Sequence, residues 1–192
     1  ASDFVQKPNE VLGSAVPDNT MRSLREIFKH ATTVYIYDST IGDDGSVTVG
    51  EICSALEPYE FNILACYTNT PADVTSYVSQ IKIWRDEYGK KVQGVVYNAS
   101  TAPDYEGIIN VLNTVSDSGA DPHALVAWVA GAEAGCEVNE SCTNMIYDGE
   151  YTINTPFTQS QLEDTIANGE LAFHLVYGDV RVLEDINSLK TT

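Results

Sequence analysis

Apolar residues recur every three or four positions in several stretches of this 192-residue chain, the spacing that places them on one face of a helix. The first stretch follows Asp18, whose side chain can cap a helix N-terminus, and the longest runs from Pro71 to a stop at Gly89. The same spacing predicts a short helix at residues 49–56 and an amphipathic helix at 105–115.

Two further helices are indicated by residues that favour helix N-termini. Asp121 and Pro122 supply an N-cap and a proline at the first helical position for a helix rich in alanine and glycine. Residues 158–161, Thr-Gln-Ser-Gln, have the spacing of a capping box, in which two side chains bond to the free backbone groups at a helix start. That helix should turn Leu162 and Ile166 toward the core.

Short strand-like segments separate these helices. Residues 61–67 form a continuous apolar run, typical of a strand buried on both faces, and residues 91–97 favour a second buried strand. Residues 33–37 and 145–153 also favour strands. Strands and helices that alternate in this order indicate a mainly parallel sheet with helices on its faces.

The last predicted element is a hairpin. Apolar residues alternate over 171–177, and Gly178 and Asp179 are suited to a two-residue turn. Residues 180–183 are predicted to form the second, antiparallel strand. The predicted fold class is therefore α/β, with a mixed, mainly parallel sheet flanked by helices and an antiparallel C-terminal hairpin. We expect residues 18–192 to form one domain behind a flexible lead at 1–17.

The charge balance of the chain is strongly acidic. It has 28 acidic and 10 basic residues, a formal net charge of −18. Nucleic acids and anionic membranes are not expected as partners, because binding them requires clusters of lysine and arginine. No apolar run approaches the roughly 18 residues of a membrane-spanning helix. The acidic surface either keeps the protein soluble or complements a basic neighbour in an assembly.

The sequence predicts no metal site. Cys136 and Cys142 are separated by five residues, which matches neither the usual zinc spacing nor a redox motif. The loop from Thr40 to Gly45, followed by Glu51, imitates the end of a calcium-binding loop, but the positions that need carboxylates are Thr40 and Gly42. The three histidines do not cluster in the sequence.

A ligand of a doubly wound fold would bind at the carboxyl ends of its strands, in the polar loops 38–40, 68–70 and 98–100. Yet the chain has neither of the glycine-rich phosphate-binding motifs and no nucleophile elbow. We therefore expect no catalytic residues and no cofactor. A flavodoxin-like domain that binds a small ligand or a nucleotide is the alternative.

Several motifs in this order resemble the central domain of contractile phage tail sheath proteins, which also occur in phage-tail-like particles. They are PYEFNILACYTN, IKIWRDEYGKKVQGVVYN, DYEGIINV, AWVAGAEAGCEVNESCT and VRVLEDINSL, within residues 58–189. The resemblance implies a structural subunit that polymerises around the tail tube and contracts to drive injection. Its partners would be other sheath subunits and the tube. It would be made in the bacterial cytoplasm and located in a virion tail or tail-like particle.

The resemblance also implies that parts of the family protein are absent from this chain. Family members carry an extra region where this chain has only the short acidic loop before residue 50, and they have an N-terminal arm and a C-terminal domain. Asp185, Ile186, Asn187 and Leu189 lie where the chain would leave the central domain, and are the candidate assembly or interdomain residues. Because strand-adding arms hold sheath subunits together, we expect this fragment to be monomeric.

Overall fold

The structure is a computed structural model that describes residues 18–37, 47–99, 103–137 and 139–190. The predicted lead at 1–17 and the calcium-like loop from Thr40 to Gly45 lie outside the described residues. The helices of the described chain are α1 (Asp18–Ile27), α2 (Val49–Leu56), α3 (Pro71–Asp86), α4 (Leu125–Gly135) and α5 (Gln159–Ala167). The strands are β1 (Ile63–Ala65), β2 (Gln93–Tyr97), β3 (Ile108–Val111), β4 (Glu170–Leu171), β5 (Phe173–Val176) and β6 (Asp179–Val182).

Strands β1 to β4 form a parallel sheet in the order β1-β2-β3-β4. Strands β5 and β6 pair with each other in an antiparallel hairpin. The predicted fold class is therefore confirmed, and the hairpin is a two-stranded sheet of its own beside the parallel one.

The amphipathic helix predicted at 105–115 is wrong, because residues 108–111 form strand β3 in the middle of the sheet. All four residues of β3 are buried. Ile108 packs into one core cluster, whereas Ile109 and Val111 pack into the other. This alternation covers both faces of the strand, and the β-branched side chains suit it. An amphipathic helix would bury only one face.

Two other predicted strands are also wrong. Residues 33–37 form no strand, and Tyr35, Ile36 and Tyr37 are partly exposed. The segment 145–153 makes only isolated bridges, from Ile146 to Arg181 and from Ile153 to Val115. Neither segment therefore forms a continuous strand ladder in the described structure.

The hairpin turn lies one residue earlier than predicted. Val176 pairs with Asp179, so the two turn residues are Tyr177 and Gly178. Their φ angles are 51° and 97°, and positive values at both central positions are characteristic of a type I′ turn. Asp179 is instead the first residue of β6.

Two helices of the described chain begin at a side-chain cap. Both Thr48 and Thr158 form complete capping boxes, which confirms the one predicted at residues 158–161. Leu162 is buried as predicted, but Ile166 is partly exposed and Thr165 takes the inward position. Helix α4 begins four residues after Asp121, because residues 122–124 form a turn before the regular helix.

The two core clusters lie on opposite faces of the parallel sheet. On one face, α2 and α3 contribute Cys53, Ile81 and Trp84 to a core that includes Ile108. On the other face, α4 packs against Ile109, Val111 and Phe173. Every residue of α4 from 125 to 132 is buried, because the sheet covers one side of the helix and α1 packs against it as well.

Candidate functional site

The segment 183–190, which contains the candidate assembly residues, is held to the amino end of β3. Ser188 is fully buried; its backbone N donates to the carbonyl of Ile108 at 2.8 Å and its Oγ donates to the carbonyl of Tyr105 at 2.9 Å. The backbone N of Lys190 donates to Asp104 Oδ1 at 2.7 Å. The segment is therefore part of the folded body.

The four candidate assembly residues have different surroundings. Asp185 Oδ2 accepts hydrogen bonds from Ser141 Oγ and from the backbone N of Cys142, both at 3.0 Å. Asn187 Oδ1 accepts from the backbone N of Leu189 at 3.0 Å. Ile186 is half-buried, and Leu189 is 45% exposed. Asp185 thus has a role within the chain, Leu189 faces outward, and a role of the four residues in assembly stays a prediction.

Asp185 also belongs to a group of four side chains, Glu133, Cys136, Cys142 and Asp185, which we call the Glu133 cluster. The Sγ atoms of Cys136 and Cys142 are 3.2 Å apart, and both cysteines are free thiols. Ligand-type atoms of Glu133, Cys142 and Asp185 lie within 4.8 Å of one another. Glu133 and Cys136 come from the end of α4, whereas Asp185 comes from the segment 183–190.

In the described residues, Glu133 and Cys142 of the Glu133 cluster have no positively charged neighbour, and this favours their protonated forms. Burial raises the pKa of Glu133 to about 8, and the neighbouring Asp185 carboxylate contributes in the same direction. Burial likewise raises the pKa of the Cys142 thiol, followed by the effect of Glu133. Glu133 Oε1 is buried and has no hydrogen-bond partner in the described part of the chain. The sequence shows the two cysteines but gives no signal that brings Asp185 to them.

A second buried carboxylate joins α1 to the segment 147–151. Glu26 is fully buried, and its Oε2 accepts from the Tyr147 hydroxyl at 2.7 Å while its Oε1 accepts from the backbone N of Glu150. Burial raises the pKa of Glu26. The Glu150 carboxylate receives two 2.8 Å hydrogen bonds from the Arg25 guanidinium. These contacts fix α1 on the domain.

A ligand of a doubly wound fold would bind at the carboxyl ends of the parallel strands. The described residues of these loops make hydrogen bonds within the chain. Thr68 Oγ1 donates to Asp73 Oδ2 at 3.4 Å and accepts from the backbone N of Thr70 at 3.1 Å. The backbone N of Ala99 donates to Asn110 Oδ1 at 2.9 Å. Loop residues 38–40 and Ser100 lie outside the described residues.

Each histidine has its own surroundings. His30 Nε2 lies 3.1 Å from Asp148 Oδ1, and its ring meets the Trp128 ring edge to face. The His123 ring packs against Tyr67. His174 is a residue of β5. The three histidines thus lie in different places in the fold. In the described residues, no helix is both long enough and apolar enough to cross a membrane.

Comparison with known proteins identifies the family. The family model for the phage tail sheath protein central domain matches residues 48–188. This chain belongs to the phage tail sheath protein family. The match covers more than half of the chain and confirms the resemblance that its motifs indicated.

Curated relatives agree with this assignment. This chain is 35% identical over 147 residues to the phage-like element PBSX protein XkdK of Bacillus subtilis. The match covers 73% of this chain and 31% of the relative. The chain is 30% identical over 155 residues to the tail sheath protein of Clostridium phage phiCD119, covering 80% of this chain and 42% of that protein. The chain therefore spans less than half of the length of these relatives.

Solved structures show the same fold. A sheath tail protein from Desulfitobacterium hafniense superposes with a TM-score of 0.69 at 35% identity, covering 79% of this chain and 38% of the other. For a sheath tail protein from Listeria innocua the TM-score is 0.67 at 33% identity, with coverage of 84% and 37%. The contracted helical sheath of the anti-feeding prophage has a TM-score of 0.65, with coverage of 93% and 56%, but at 13% identity it supports the fold alone.

Proposed function

We propose that this chain is the central part of a structural subunit that polymerises around a tail tube and contracts to drive injection. The observation that carries the proposal is the family match over residues 48–188, together with the shared fold of two sheath tail proteins at about one-third identity. The partners would be neighbouring sheath subunits and the tube, and the location would be a virion tail or a tail-like particle.

The way the domain is held together suits a subunit that moves as one body. Helices cover both faces of the parallel sheet, and Ser188 and Lys190 hold the segment 183–190 at the amino end of β3. Glu26 and Arg25 fix α1 to the segment 147–151. In our proposal, contraction changes the contacts between subunits while this domain keeps its internal structure.

Two exposed apolar side chains of the hairpin provide a candidate contact with a neighbouring subunit. Leu175 is 60% exposed, and Tyr177 is fully exposed at the hairpin turn. We call Leu175 and Tyr177 the hairpin surface. Burial of large apolar side chains is a main source of affinity between proteins, so in a polymer this surface would be covered by another copy of the sheath subunit.

The proposal excludes an enzymatic role, since the function would lie in assembly. The flavodoxin-like alternative requires a ligand at the carboxyl ends of the strands, where Thr68 and Asn110 bond within the chain. Thermal shift against a panel of nucleotides separates the two functions: a sheath subunit should show no shift, whereas a nucleotide-binding domain should gain stability by mass action.

Immunogold electron microscopy of particles from the producing cells tests the proposal directly. Antibodies raised against these 192 residues should label the tail shaft along its whole length, because a sheath subunit is present in many copies there. Antibodies preabsorbed with the purified chain are the matched control and should leave the shaft unlabelled. Labelling confined to the head or to the end of the tail would contradict the proposal.

A further inference from the structure

The Glu133 cluster brings together four metal-ligating side chains from three parts of the chain. Glu133 and Cys136 lie at the end of α4, Cys142 follows after a short turn, and Asp185 arrives from the segment 183–190. The two Sγ atoms are 3.2 Å apart, and the ligand-type atoms of Glu133, Cys142 and Asp185 are within 4.8 Å of one another. The Cys142 thiol and the two carboxylates therefore converge on one small volume, and the Cys136 thiol touches Cys142 beside them.

The described protein leaves this group without a positive partner. Glu133 Oε1 is buried and has no hydrogen-bond partner among the residues that the structure describes. The interactions that act on Glu133 come from Asp185 and Cys142, and no lysine or arginine is among them. A buried polar oxygen without a partner destabilises the fold, and more so if it is charged. A bound cation would supply the missing partner for this oxygen and would bond to the thiol sulfurs beside it.

We propose that Glu133, Cys136, Cys142 and Asp185 form a binding site for a thiol-preferring divalent cation, of which Zn²⁺ is the representative. Cysteine sulfur and carboxylate oxygen are both zinc ligands, and four protein ligands are the usual number in a structural site. Calcium and magnesium do not fit, because they take oxygen ligands in greater number and do not use thiols.

The binding step is an exchange of protons for the metal. Each thiol, and the Glu133 carboxyl where it is protonated, releases its proton to solvent as its sulfur or oxygen forms a bond to the cation, and no oxidation or reduction takes place. Asp185 is already held by Ser141 Oγ and by the backbone N of Cys142, the kind of outer hydrogen bonds that orient a metal-binding carboxylate. The bound cation would join the end of α4 to the segment 183–190.

The five-residue spacing of Cys136 and Cys142 is by itself uncharacteristic of zinc, and it predicts no metal site. The fold, however, brings the carboxylates of Glu133 and Asp185 to Cys142, and the spacing does not show this. The competing chemistry is a disulfide between the same cysteines, because their 3.2 Å separation is not far above the roughly 2.05 Å of an S–S bond.

Cobalt titration of the fully reduced chain tests the proposal, because Co²⁺ substitutes for zinc and gives a near-ultraviolet sulfur-to-cobalt charge-transfer band. We expect the band to saturate at one equivalent of Co²⁺ and to disappear when zinc is added. Cys142→Ala and Cys136→Ser should lose the band. Glu133→Gln, which keeps the side-chain shape, should keep both thiols and weaken cobalt binding at least about tenfold.

The control is Cys53→Ala, which removes a buried thiol in the other core cluster and should leave cobalt binding unchanged. Circular dichroism of each variant without metal establishes that it is folded. Cys136→Ser is the variant expected to disturb the fold least, because Cys136 is only half-buried whereas Cys142 is buried. A reduced wild-type chain that gives no charge-transfer band would overturn the proposal. So would a band that survives in folded Cys136→Ser, or mass spectrometry showing a Cys136–Cys142 disulfide that persists under the reducing conditions.

Discussion

Gly131 marks the closest approach of α4 to α1, and replacing it by alanine should destabilise the domain. A Cβ atom added at Gly131 would lie 2.5 Å from the carbonyl oxygen of Ile27 and 3.0 Å from its Cα. Both neighbours are backbone atoms of the chain at the end of α1, so no side-chain rotation can relieve the overlap. The two helices would have to move apart.

The size of the effect follows from two opposing contributions. Alanine is favoured over glycine inside a helix by about 1 kcal/mol. Overpacking of a close contact costs about 1–3 kcal/mol, and the upper end applies here because the overlap is with backbone. We therefore expect Gly131→Ala to lower the free energy of unfolding by about 1–2 kcal/mol. For a domain of this size that corresponds to a fall in Tm of about 2–8 °C.

Gly50→Ala is the matched control, because Gly50 also lies in a helix but has open space around it. The nearest atom to an added Cβ is Thr48 Oγ1 at 3.9 Å. We expect this variant to be unchanged or more stable by about 0.5 kcal/mol. Urea unfolding followed by circular dichroism measures both variants. If Gly131→Ala were as stable as Gly50→Ala, the close contact between α1 and α4 would be refuted.

Further predictions concern pH, assembly and association. Burial raises the pKa of Glu26, so its contribution to stability is fully present below the ordinary value of 4.5 and is lost as the pH rises through the higher folded-state pKa. The Tm of the wild type relative to Glu26→Gln should therefore fall as the pH is raised above 4.5, and a constant difference by scanning calorimetry would contradict this. Leu175→Ser combined with Tyr177→Ser, introduced into the full-length sheath protein, should reduce sheath polymers in electron micrographs without lowering the Tm of the isolated domain; abundant normal polymers would remove the hairpin surface from the interface. The 192-residue chain itself should sediment as a monomer of about 21 kDa, because we expect polymerisation to need strand-adding segments outside these residues. Long polymers in analytical ultracentrifugation would contradict this.

The elements that the sequence predicts correctly are those decided by neighbouring residues. The capping box at Thr158 and the proline at the start of α3 act within one turn of helix, so their effect is visible in the sequence. Strand β3 shows the opposite case. Ile108, Ile109 and Leu112 have the spacing of a helix face, and only the position of the segment between β2 and β4 makes it a strand. Tertiary packing therefore determines that this segment is a strand and not a helix.

The candidate site was less predictable for a related reason. In the sequence, Asp185 is recognisable only as a residue at the end of the central domain. In the structure, its carboxylate accepts a hydrogen bond from the backbone N of Cys142, which is 43 residues away in sequence. Glu133 is three residues before Cys136 and carries no recognisable ligand motif. A side-chain cluster built across such distances depends on the folded path of the segment 183–190, which local patterns do not contain.

Cryo-electron microscopy of the tail shaft of the parent particle would show whether this chain is a sheath subunit. We expect the described fold to fit helically repeated density in the layer outside the tail tube, with the hairpin surface against a neighbouring copy. A well-resolved outer layer that cannot accommodate the four-stranded parallel sheet and its flanking helices would contradict the assignment of this chain to the sheath.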